Sequence, residues 1–233
     1  MKEKLVSTEN VVLADKIIGR LKSKESPGMI LLYGEAGMGK TYYADKRTFS
    51  HGWCYYRMRA TETAKSFLQQ VYKRLNKVYS GSNEILRGST AKLEDACIEM
   101  LLKLPNQVFV IDETNFCAQF RKWEIIEVIR DFRDTAHANI IMIGEHDTRK
   151  VLESYNPHFF SRCEFINFTA NTAQDVAMVM KSCSEVEFDK GVYDLVVKKF
   201  KGNLRKVQSF IQDCEVTAVD NELTKITLKD LES

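Results

Sequence analysis

The sequence lacks an excess of either charge, a paired set of cysteines and any long apolar run. Its 233 residues include 34 basic and 32 acidic side chains, which leaves a net charge of only +2. This balance excludes a surface that is basic throughout, so any contact with nucleic acid has to come from a local patch. The six cysteines form no CxxC pair and share no ligand spacing with the four histidines. Their scatter argues against a zinc site and predicts reduced thiols.

The missing apolar run also bears on location. A membrane-spanning helix needs about 18 or more consecutive apolar residues, and no segment of the sequence approaches that length. Residues 1–10 are polar and charged, and they lack the apolar core of a signal peptide. We therefore expect a cytoplasmic protein. Hydrophobic residues make up 44% of the chain, which is enough for a globular core at this length.

The most informative segment is a glycine-rich loop that follows an apolar run at residues 29–33. It fits the pattern GxxxxGK[ST], in which backbone N–H groups of the loop cradle phosphates. The residues assigned to nucleotide binding are Gly34, Glu35, Ala36, Gly37, Met38, Gly39, Lys40 and Thr41. Lys40 can reach the β and γ oxygens of a nucleotide, and the Thr41 hydroxyl can ligate Mg²⁺. A helix that starts near Lys40 adds the positive end of its dipole.

Strand patterns and helical patterns alternate up to about residue 168. We predict strands at 29–33, 53–59, 107–113, 139–144 and 165–168, and helices at 11–22, 63–77, 91–103 and 120–135. This alternation is typical of an α/β fold with a five-stranded parallel sheet flanked by helices. Only helical patterns follow, at 172–182, 190–200 and 204–218, and the first opens with a capping box at Thr172 and Asp175. The predicted domains are an α/β nucleotide-binding domain at 1–168 and a small C-terminal helical lid at 169–233.

Two carboxylates, Asp112 and Glu113, end the apolar run at residues 107–113. A continuous apolar run predicts a parallel strand buried on both faces, and ligands bind at the carboxyl ends of such strands. Asp112 is placed to hold Mg²⁺ through water, and Glu113 to deprotonate the water that attacks a γ-phosphate. The pair predicts an ATPase with ATP or ADP and Mg²⁺ as its cofactors.

Two arginines are candidates for the further positive groups that phosphoryl transfer requires. Arg162 lies in the segment SRC before the last predicted strand, and Arg205 lies in GNLRK at the start of a predicted lid helix. The phosphate loop, the IDE strand end, SRC and GNLRK, in this order, resemble an AAA+ ATPase over residues 29–212. The resemblance implies a P-loop NTPase fold. It also implies that Arg162 reaches the nucleotide of a neighbouring subunit in a homo-oligomer and that Arg205 senses nucleotide from the lid.

A narrower resemblance rests on the segment IMIGEHDTRKVL at 141–152 and on the SRC segment that follows it. These are similar to the transposition ATPases typified by the phage Mu B protein, whose relatives include TnsC and IstB. The resemblance implies assembly on duplex DNA as a helical filament that selects targets for a transposase, in a bacterial or phage-infected cell. It places Glu145 at a sensor position that usually holds Asn, Thr or Ser. A carboxylate there would repel the γ-phosphate, so we expect slow hydrolysis, or a sensor role for His146.

Basic residues after the second predicted strand are candidates for contact with DNA. They are Lys65, Lys73, Arg74 and Lys77. Lysines contact phosphates without reading bases, which suits a target selector with little sequence preference. A solvated helix face accounts for the same residues about equally well.

Two other functions fit the same motifs. A clamp-loader-like or replication-initiator ATPase is favoured by the SRC and GNLRK segments, and its partners would be replication proteins. A nucleotide switch that binds protein partners with little hydrolysis is favoured by Glu145 and by the near-neutral charge. The three functions differ in the assembly they require, namely a helical filament, a small ring or none.

Overall fold

The computed structural model describes residues 2, 4–22, 28–103 and 108–231. The strands are β1 Met29–Gly34, β2 Cys54–Arg57, β3 Val108–Asp112, β4 Asn139–Ile143, β5 Cys163–Phe168, β6 Glu187–Phe188 and β7 Lys225–Ile226. The helices are α1 Glu9–Gly19, α2 Lys40–His51, α3 Ala64–Ser80, α4 Thr90–Leu102, α5 Asn115–Gln119, α6 Trp123–Ala136, α7 Thr148–Tyr155, α8 Pro157–Phe160, α9 Ala173–Cys183, α10 Lys190–Phe200 and α11 Leu204–Asp220. Short 3-10 helices cover Arg20–Lys22 and Lys229–Leu231.

The first five strands form a parallel sheet in the order β2-β3-β4-β1-β5. Met29 of β1 pairs with Ile140 of β4, and Arg57 of β2 pairs with Asp112 of β3. β1 and β3 are buried along their whole length, as expected for strands covered on both faces. The predicted α/β fold with five parallel strands is therefore confirmed. Gln107, the first residue of the predicted third strand, lies outside the described residues.

The helices that follow β5 begin where the sequence indicates. The Thr172 side chain accepts a hydrogen bond from the backbone N–H of Asp175, and the Asp175 carboxylate accepts one from the N–H of Thr172, which closes the predicted capping box of α9. α10 has its predicted bounds, and α11 begins behind the cap residue Asn203. Asp175 also accepts a hydrogen bond from the backbone N–H of Glu9 at 3.0 Å, which ties the start of α1 to α9.

Several elements differ from the prediction, among them α7 and α8, which were not predicted. The helix predicted at 120–135 begins later, as α6 at Trp123, and α5, which was not predicted, precedes it; between the two helices is a break where Arg121 adopts a φ of +49°. Lys122 lies at this break and donates to the backbone carbonyls of Ala60 and Glu62, the latter at 2.6 Å, so a distant loop fixes the break. The parallel pair of β6 and β7 was missed, because strands of two residues show no alternating pattern.

Contacts within the chain define two compact units. The first, called the lid unit, comprises Met1–Lys16, Glu35–Tyr43 and Phe168–Ser233. The second, called the sheet unit, comprises Ile17–Gly34 and Ala44–Asn167. The lid unit has its own core, which includes Val207 and Ile211, and the core of the sheet unit includes Phe109 and Phe132. These units follow contacts rather than chain order, and the division at residues 1–168 and 169–233 stays a prediction.

All six cysteines are buried free thiols, as their spacing predicts. Burial raises the pKa of Cys54, Cys97 and Cys117 to about 12, so these thiols stay protonated at neutral pH. Among the residues that the structure describes, no helix combines the length and the apolar character needed to cross a membrane.

Candidate nucleotide-binding site

The phosphate loop begins at Gly34, the last residue of β1 in the sheet unit, and its residues 35–41 belong to the lid unit. Gly37 and Gly39 have φ values of +86° and +97°, in the left-handed region that side chains disfavour, so these positions require glycine. α2 begins at Lys40, which is only 8% exposed and donates to the carbonyl oxygen of Glu35 at 2.8 Å. The ammonium is thus held against the backbone of its own loop at a helix N-terminus, where phosphate groups bind readily. The next residue, Thr41, is exposed.

The first turn of α11 lies against the phosphate loop within the lid unit. Asn203 donates its side-chain amide to the carbonyl oxygen of Ala36 at 3.0 Å, and the backbone N–H of Arg205 donates to that of Gly37 at 3.3 Å. A Cβ on Gly37 would come within 2.3 Å of Asn203 Oδ1, so this approach depends on glycine. The structure therefore places Arg205 beside the loop, with an exposed side chain.

A mainly apolar pocket adjoins the phosphate loop in the lid unit. Its lining includes Val6, Thr8 and Val11 from the N-terminal segment, Met38, Gly39 and Tyr42 from the loop and α2, and Val179, Cys183, Leu204 and Gln208 from the lid helices. Apolar walls with a few polar groups are typical of sites for small organic ligands. Because the pocket shares Met38 and Gly39 with the phosphate loop, a ligand bound in it would lie beside the loop.

Asp112 and Glu113 lie at the carboxyl end of β3 in the sheet unit, and a side chain of β2 holds each of them. The Tyr55 hydroxyl donates to Asp112 Oδ2 at 2.6 Å, and Arg57 Nη2 donates to Glu113 Oε1 at 2.6 Å. Asp112 Oδ1 accepts the backbone N–H of Glu113 at 2.9 Å. Glu113 has a φ of +62°, which is uncommon for a residue other than glycine and turns the chain sharply at the strand end.

These contacts govern the charges at the strand end. Burial and the hydrogen bond to Asp112 raise the pKa of Tyr55, so its hydroxyl stays protonated. The hydrogen bond with Glu113 raises the pKa of Arg57. The Arg57 side chain is 62% exposed, and exposed ion pairs contribute only about 0.2–1 kcal/mol, so a small free energy suffices to release Glu113.

The residues present at the strand end fit a magnesium nucleotide. Mg²⁺ binds oxygen ligands, and in nucleotide sites it usually keeps several waters and takes one or two carboxylates plus phosphates. Asp112 is 2% exposed, and both of its oxygens accept a hydrogen bond, which leaves further lone pairs for water on a hydrated ion. A single buried carboxylate of this kind suits water-mediated contact with the ion.

The predicted sensor residues follow β4. The backbone N–H of Gly144 donates to the carbonyl oxygen of Leu32 at 2.9 Å, which extends the β4–β1 pairing to the strand end. Glu145 and His146 come next, and both side chains are exposed. An exposed carboxylate can turn toward water, which reduces its repulsion of a phosphate. The choice between Glu145 and His146 as the sensor stays a prediction.

Arg162 immediately precedes β5, and its guanidinium pairs with Asp134 of α6 in the same chain. Arg130 approaches the same carboxylate, with 3.9 Å between its Nε and Asp134 Oδ2. The Arg162 side chain is 48% exposed. A second subunit could therefore reach it, but Arg162 has to leave Asp134 before it can act there. Its role as a finger in trans stays a prediction.

The predicted DNA-contacting residues all lie on α3, but they do not share one face. Lys77 lies four positions after Lys73 and three after Arg74, so these residues form one basic stripe. Lys65 lies about 180° around the helix from Arg74, so it is separate from this stripe. Lys65, Arg74 and Lys77 are exposed, and Lys73 is half-buried. Arg74 also donates its Nε–H to the backbone carbonyl of Tyr55 at 2.9 Å, so it braces the edge strand β2.

Three residues of the site were missed by sequence analysis, namely Tyr55, Arg57 and Asn203. Tyr55 and Arg57 are two positions apart on β2, so the strand pattern does place them on one face. Only the pairing of β2 with β3 shows that this face meets the two carboxylates. Asn203 did carry a signal, because asparagine directly before a helix is a common N-cap.

The sequence at residues 23–152 matches a protein-family model described as an AAA domain, which is more than half of the chain. The chain belongs to the AAA domain family. The matched residues, 23–152, include the phosphate loop, the two strand-end carboxylates, Glu145 and the basic stripe on α3 of this AAA domain. Arg162 and Arg205 lie outside the matched range. No curated protein matches the sequence.

Solved structures share the fold of this AAA domain. The Aeropyrum pernix Orc1 protein in complex with DNA matches with a TM-score of 0.70 at 15% identity, covering 99% of this chain and 65% of that chain. AMPPCP-bound DnaA from Aquifex aeolicus matches with a TM-score of 0.57 at 16% identity, covering 91% of this chain and 62% of that one. This chain thus spans less than two thirds of either. The matches confirm the predicted P-loop fold of the AAA+ type, and the narrower resemblance to transposition ATPases is not confirmed.

Proposed function

We propose that this AAA domain binds ATP with Mg²⁺ and hydrolyses it to ADP and phosphate. The phosphate loop carries the proposal, because it combines left-handed glycines, a buried Lys40 at a helix N-terminus and hydrogen bonds to the lid helix α11. A loop of this kind offers backbone N–H groups, a helix dipole and an ammonium to a polyphosphate. DnaA, which has a similar fold, was solved with AMPPCP bound.

Each candidate residue has a role in the proposed reaction. Lys40 compensates the charge on the β and γ phosphates, and Glu113 accepts a proton from the attacking water. Thr41 and Asp112 would hold Mg²⁺, which would neutralise charge on the phosphate oxygens. Glu113 has to leave Arg57 before it can act, because pairing with a cation weakens a carboxylate as a base. Arg205 responds to nucleotide from the start of α11.

We further propose that the protein forms a homo-oligomer on duplex DNA. Orc1, which has a similar fold, was solved in complex with DNA. The stripe of Lys73, Arg74 and Lys77 offers phosphate contacts that read no bases, which suits binding with low sequence specificity. Arg162 is proposed to act on the nucleotide of a neighbouring subunit, which makes hydrolysis depend on assembly.

The partner that we propose is a transposase, for which the oligomer selects DNA targets. The support is the similarity of the segments at 141–152 and around Arg162 to transposition ATPases. A replication initiator is the second candidate, and the similarity of the fold to Orc1 and DnaA favours it.

Electron microscopy with duplex DNA and AMPPCP separates these candidates. A continuous helical filament on DNA supports the transposase partner, whereas a closed or gapped small ring supports a clamp loader or replication initiator. Nucleotide binding without any assembly would overturn the oligomer and leave a nucleotide switch that binds protein partners. A parallel assay of ATP hydrolysis with and without DNA tests the enzymatic part, and we expect DNA to stimulate turnover.

The role of Arg162 is tested by measuring ATP hydrolysis under conditions in which the protein assembles and nucleotide affinity under conditions in which it is monomeric. Arg162→Ala should lower turnover by about a thousandfold under assembling conditions, as expected for loss of an arginine finger. Nucleotide affinity of the monomer should stay unchanged, because a trans finger acts only across a subunit boundary. Arg130→Ala is the matched control, since it removes an arginine beside the same Asp134 carboxylate. An equal loss of monomer affinity in Arg162→Ala would place Arg162 in the site of its own subunit.

A further inference from the structure

The hydroxyl of Tyr55 donates a hydrogen bond to Asp112, the carboxylate that is proposed to hold magnesium. Arg57 is the residue of β2 that pairs directly with Asp112, and Tyr55 is two positions earlier on the same face of the strand. Because the tyrosine side chain is long, its hydroxyl reaches along the strand to Asp112, with 2.6 Å between the hydroxyl oxygen and Asp112 Oδ2. A distance this short is typical of an O–H donor on a charged acceptor.

The Asp112 carboxylate is restrained at both of its oxygens. Oδ2 accepts the Tyr55 hydroxyl, and Oδ1 accepts the backbone N–H of Glu113 at 2.9 Å. Neither donor carries a charge, so both fix the orientation of the carboxylate without neutralising it. A lysine or arginine in the place of Tyr55 would also orient the carboxylate, but it would compete with a cation for the negative charge.

Tyr55 is itself held through its backbone. Its backbone carbonyl accepts the Nε–H of Arg74 at 2.9 Å, which anchors the edge strand to α3. The donor is therefore fixed in position before any ligand arrives.

We propose that Tyr55 is a positioning residue for Asp112, whose hydroxyl holds the carboxylate in the orientation that a magnesium nucleotide needs. The inference rests on the proposed function, because it assigns Asp112 to the metal. Groups that orient a metal-binding carboxylate typically change metal affinity or activity by about 10- to 100-fold when they are removed.

The test compares Tyr55→Phe with Tyr56→Phe. Tyr56 is the next residue of β2, and its hydroxyl bonds the carboxylate of Glu62, so the control also removes a tyrosine–carboxylate hydrogen bond on this strand. ATP affinity is measured by calorimetry at increasing MgCl₂, together with the rate of hydrolysis. In Tyr55→Phe we expect ATP affinity without Mg²⁺ to be unchanged. The Mg²⁺ midpoint, which is the Mg²⁺ concentration that gives half of the change in ATP affinity, should rise about tenfold. Saturating Mg²⁺ should restore most of kcat, and Tyr56→Phe should keep the wild-type Mg²⁺ midpoint.

A double-mutant cycle separates positioning from a general structural effect. Asp112→Asn should weaken the response to Mg²⁺ by itself, and adding Tyr55→Phe should produce no further change, since the hydroxyl acts through Asp112. Equal Mg²⁺ midpoints in Tyr55→Phe and the wild type would overturn the proposal, and so would a lower midpoint, which would mean that Tyr55 obstructs the metal. Failure of the proposed function would be seen separately, as wild-type protein that binds no ATP at any Mg²⁺ concentration.

Discussion

The phosphate loop and the acidic end of β3 hold their polar groups by different means. In the loop, the buried ammonium of Lys40 bonds the backbone carbonyl of Glu35, and the left-handed glycines give the chain its curvature. At the end of β3, each carboxylate meets a side chain of the edge strand β2. A site shaped by its backbone tolerates few substitutions. Where side chains hold the carboxylates, replacing those side chains can change the rate of the reaction without removing the carboxylates. We therefore expect substitutions in the loop to abolish binding and those at β2 to tune turnover.

The largest effect is expected at the loop. Lys40→Ala should weaken ATP binding by about a hundredfold or more, because hydrogen bonds to charged groups contribute about 1.5–3 kcal/mol each and Lys40 is proposed to reach two phosphates. Calorimetric titration with ATP measures the loss. Lys150→Ala, which removes an exposed lysine of α7, is the control. Undiminished affinity in Lys40→Ala would contradict the assignment of the loop to nucleotide.

The acidic strand end should behave in the opposite way. Glu113→Gln should leave ATP affinity nearly unchanged and lower hydrolysis by about 10²- to 10⁴-fold, since the amide keeps the shape but cannot act as a base. Single-turnover assays of phosphate release measure the rate. Glu153→Gln on α7 provides a control at an exposed glutamate. Wild-type turnover in Glu113→Gln would show that another group is the base.

Substitution of the basic stripe on α3 is expected to have an intermediate effect, and the affected ligand is DNA rather than ATP. Changing Lys73, Arg74 and Lys77 together to Ala should weaken binding similarly on unrelated duplexes. Each lost phosphate contact removes about 0.9 from the slope of log affinity against log salt. Fluorescence anisotropy at several salt concentrations, with saturating AMPPCP, measures the slope.

The control for the stripe removes the same charge from another helix. Lys190, Lys198 and Lys199 are exposed on α10, and their joint change to Ala should leave the slope unaltered. ATP affinity measured without Mg²⁺ should be unchanged in both triple variants. Parallel salt lines for the α3 variant and the wild type would show that the stripe is a solvated face, and the DNA surface would have to be sought elsewhere.

The smallest effect is expected at the partner of Glu113. Arg57→Ala frees the carboxylate from an exposed ion pair worth about 0.2–1 kcal/mol, so hydrolysis without DNA should rise by at most about fivefold. Steady-state assays at saturating ATP measure the change. Arg59→Ala removes an exposed arginine just beyond the end of β2 and should have no effect. A fall in turnover would mean that Arg57 supports the reaction instead of restraining the base.

The sequence predicted the sheet, the lid helices and the loop because their signals are local. Continuous apolar runs predict buried strands, a capping box sets the start of α9, and the spacing of Gly34, Gly39 and Lys40 follows from how a short loop encloses phosphates. The break between α5 and α6 was not predictable in this way. It depends on Lys122 reaching the carbonyl of Glu62, a contact between parts of the chain that are far apart in sequence.

The partners of the carboxylates were hidden for the same physical reason. The alternation along β2 shows that Tyr55 and Arg57 share a face, but the pairing of β2 with β3 decides whether that face meets Asp112 or another residue. The ion pair of Arg162 with Asp134 likewise joins the residue before β5 to α6 through the fold rather than through a motif. Motifs therefore indicated the candidate residues, and the fold shows which side chains contact them.

The hydrogen bond from Glu9 to Asp175 joins residues 166 positions apart, so the lid unit draws on both ends of the described chain. During synthesis the start of α1 leaves the ribosome long before α9 exists. The segments of the sheet unit that contact one another are all made before the lid helices, and domains generally fold as units as they emerge. We therefore expect the sheet unit to fold while the chain is still growing. Residues 35–41 of the phosphate loop, which belong to the lid unit, would then gain their neighbours only after α11 has been made.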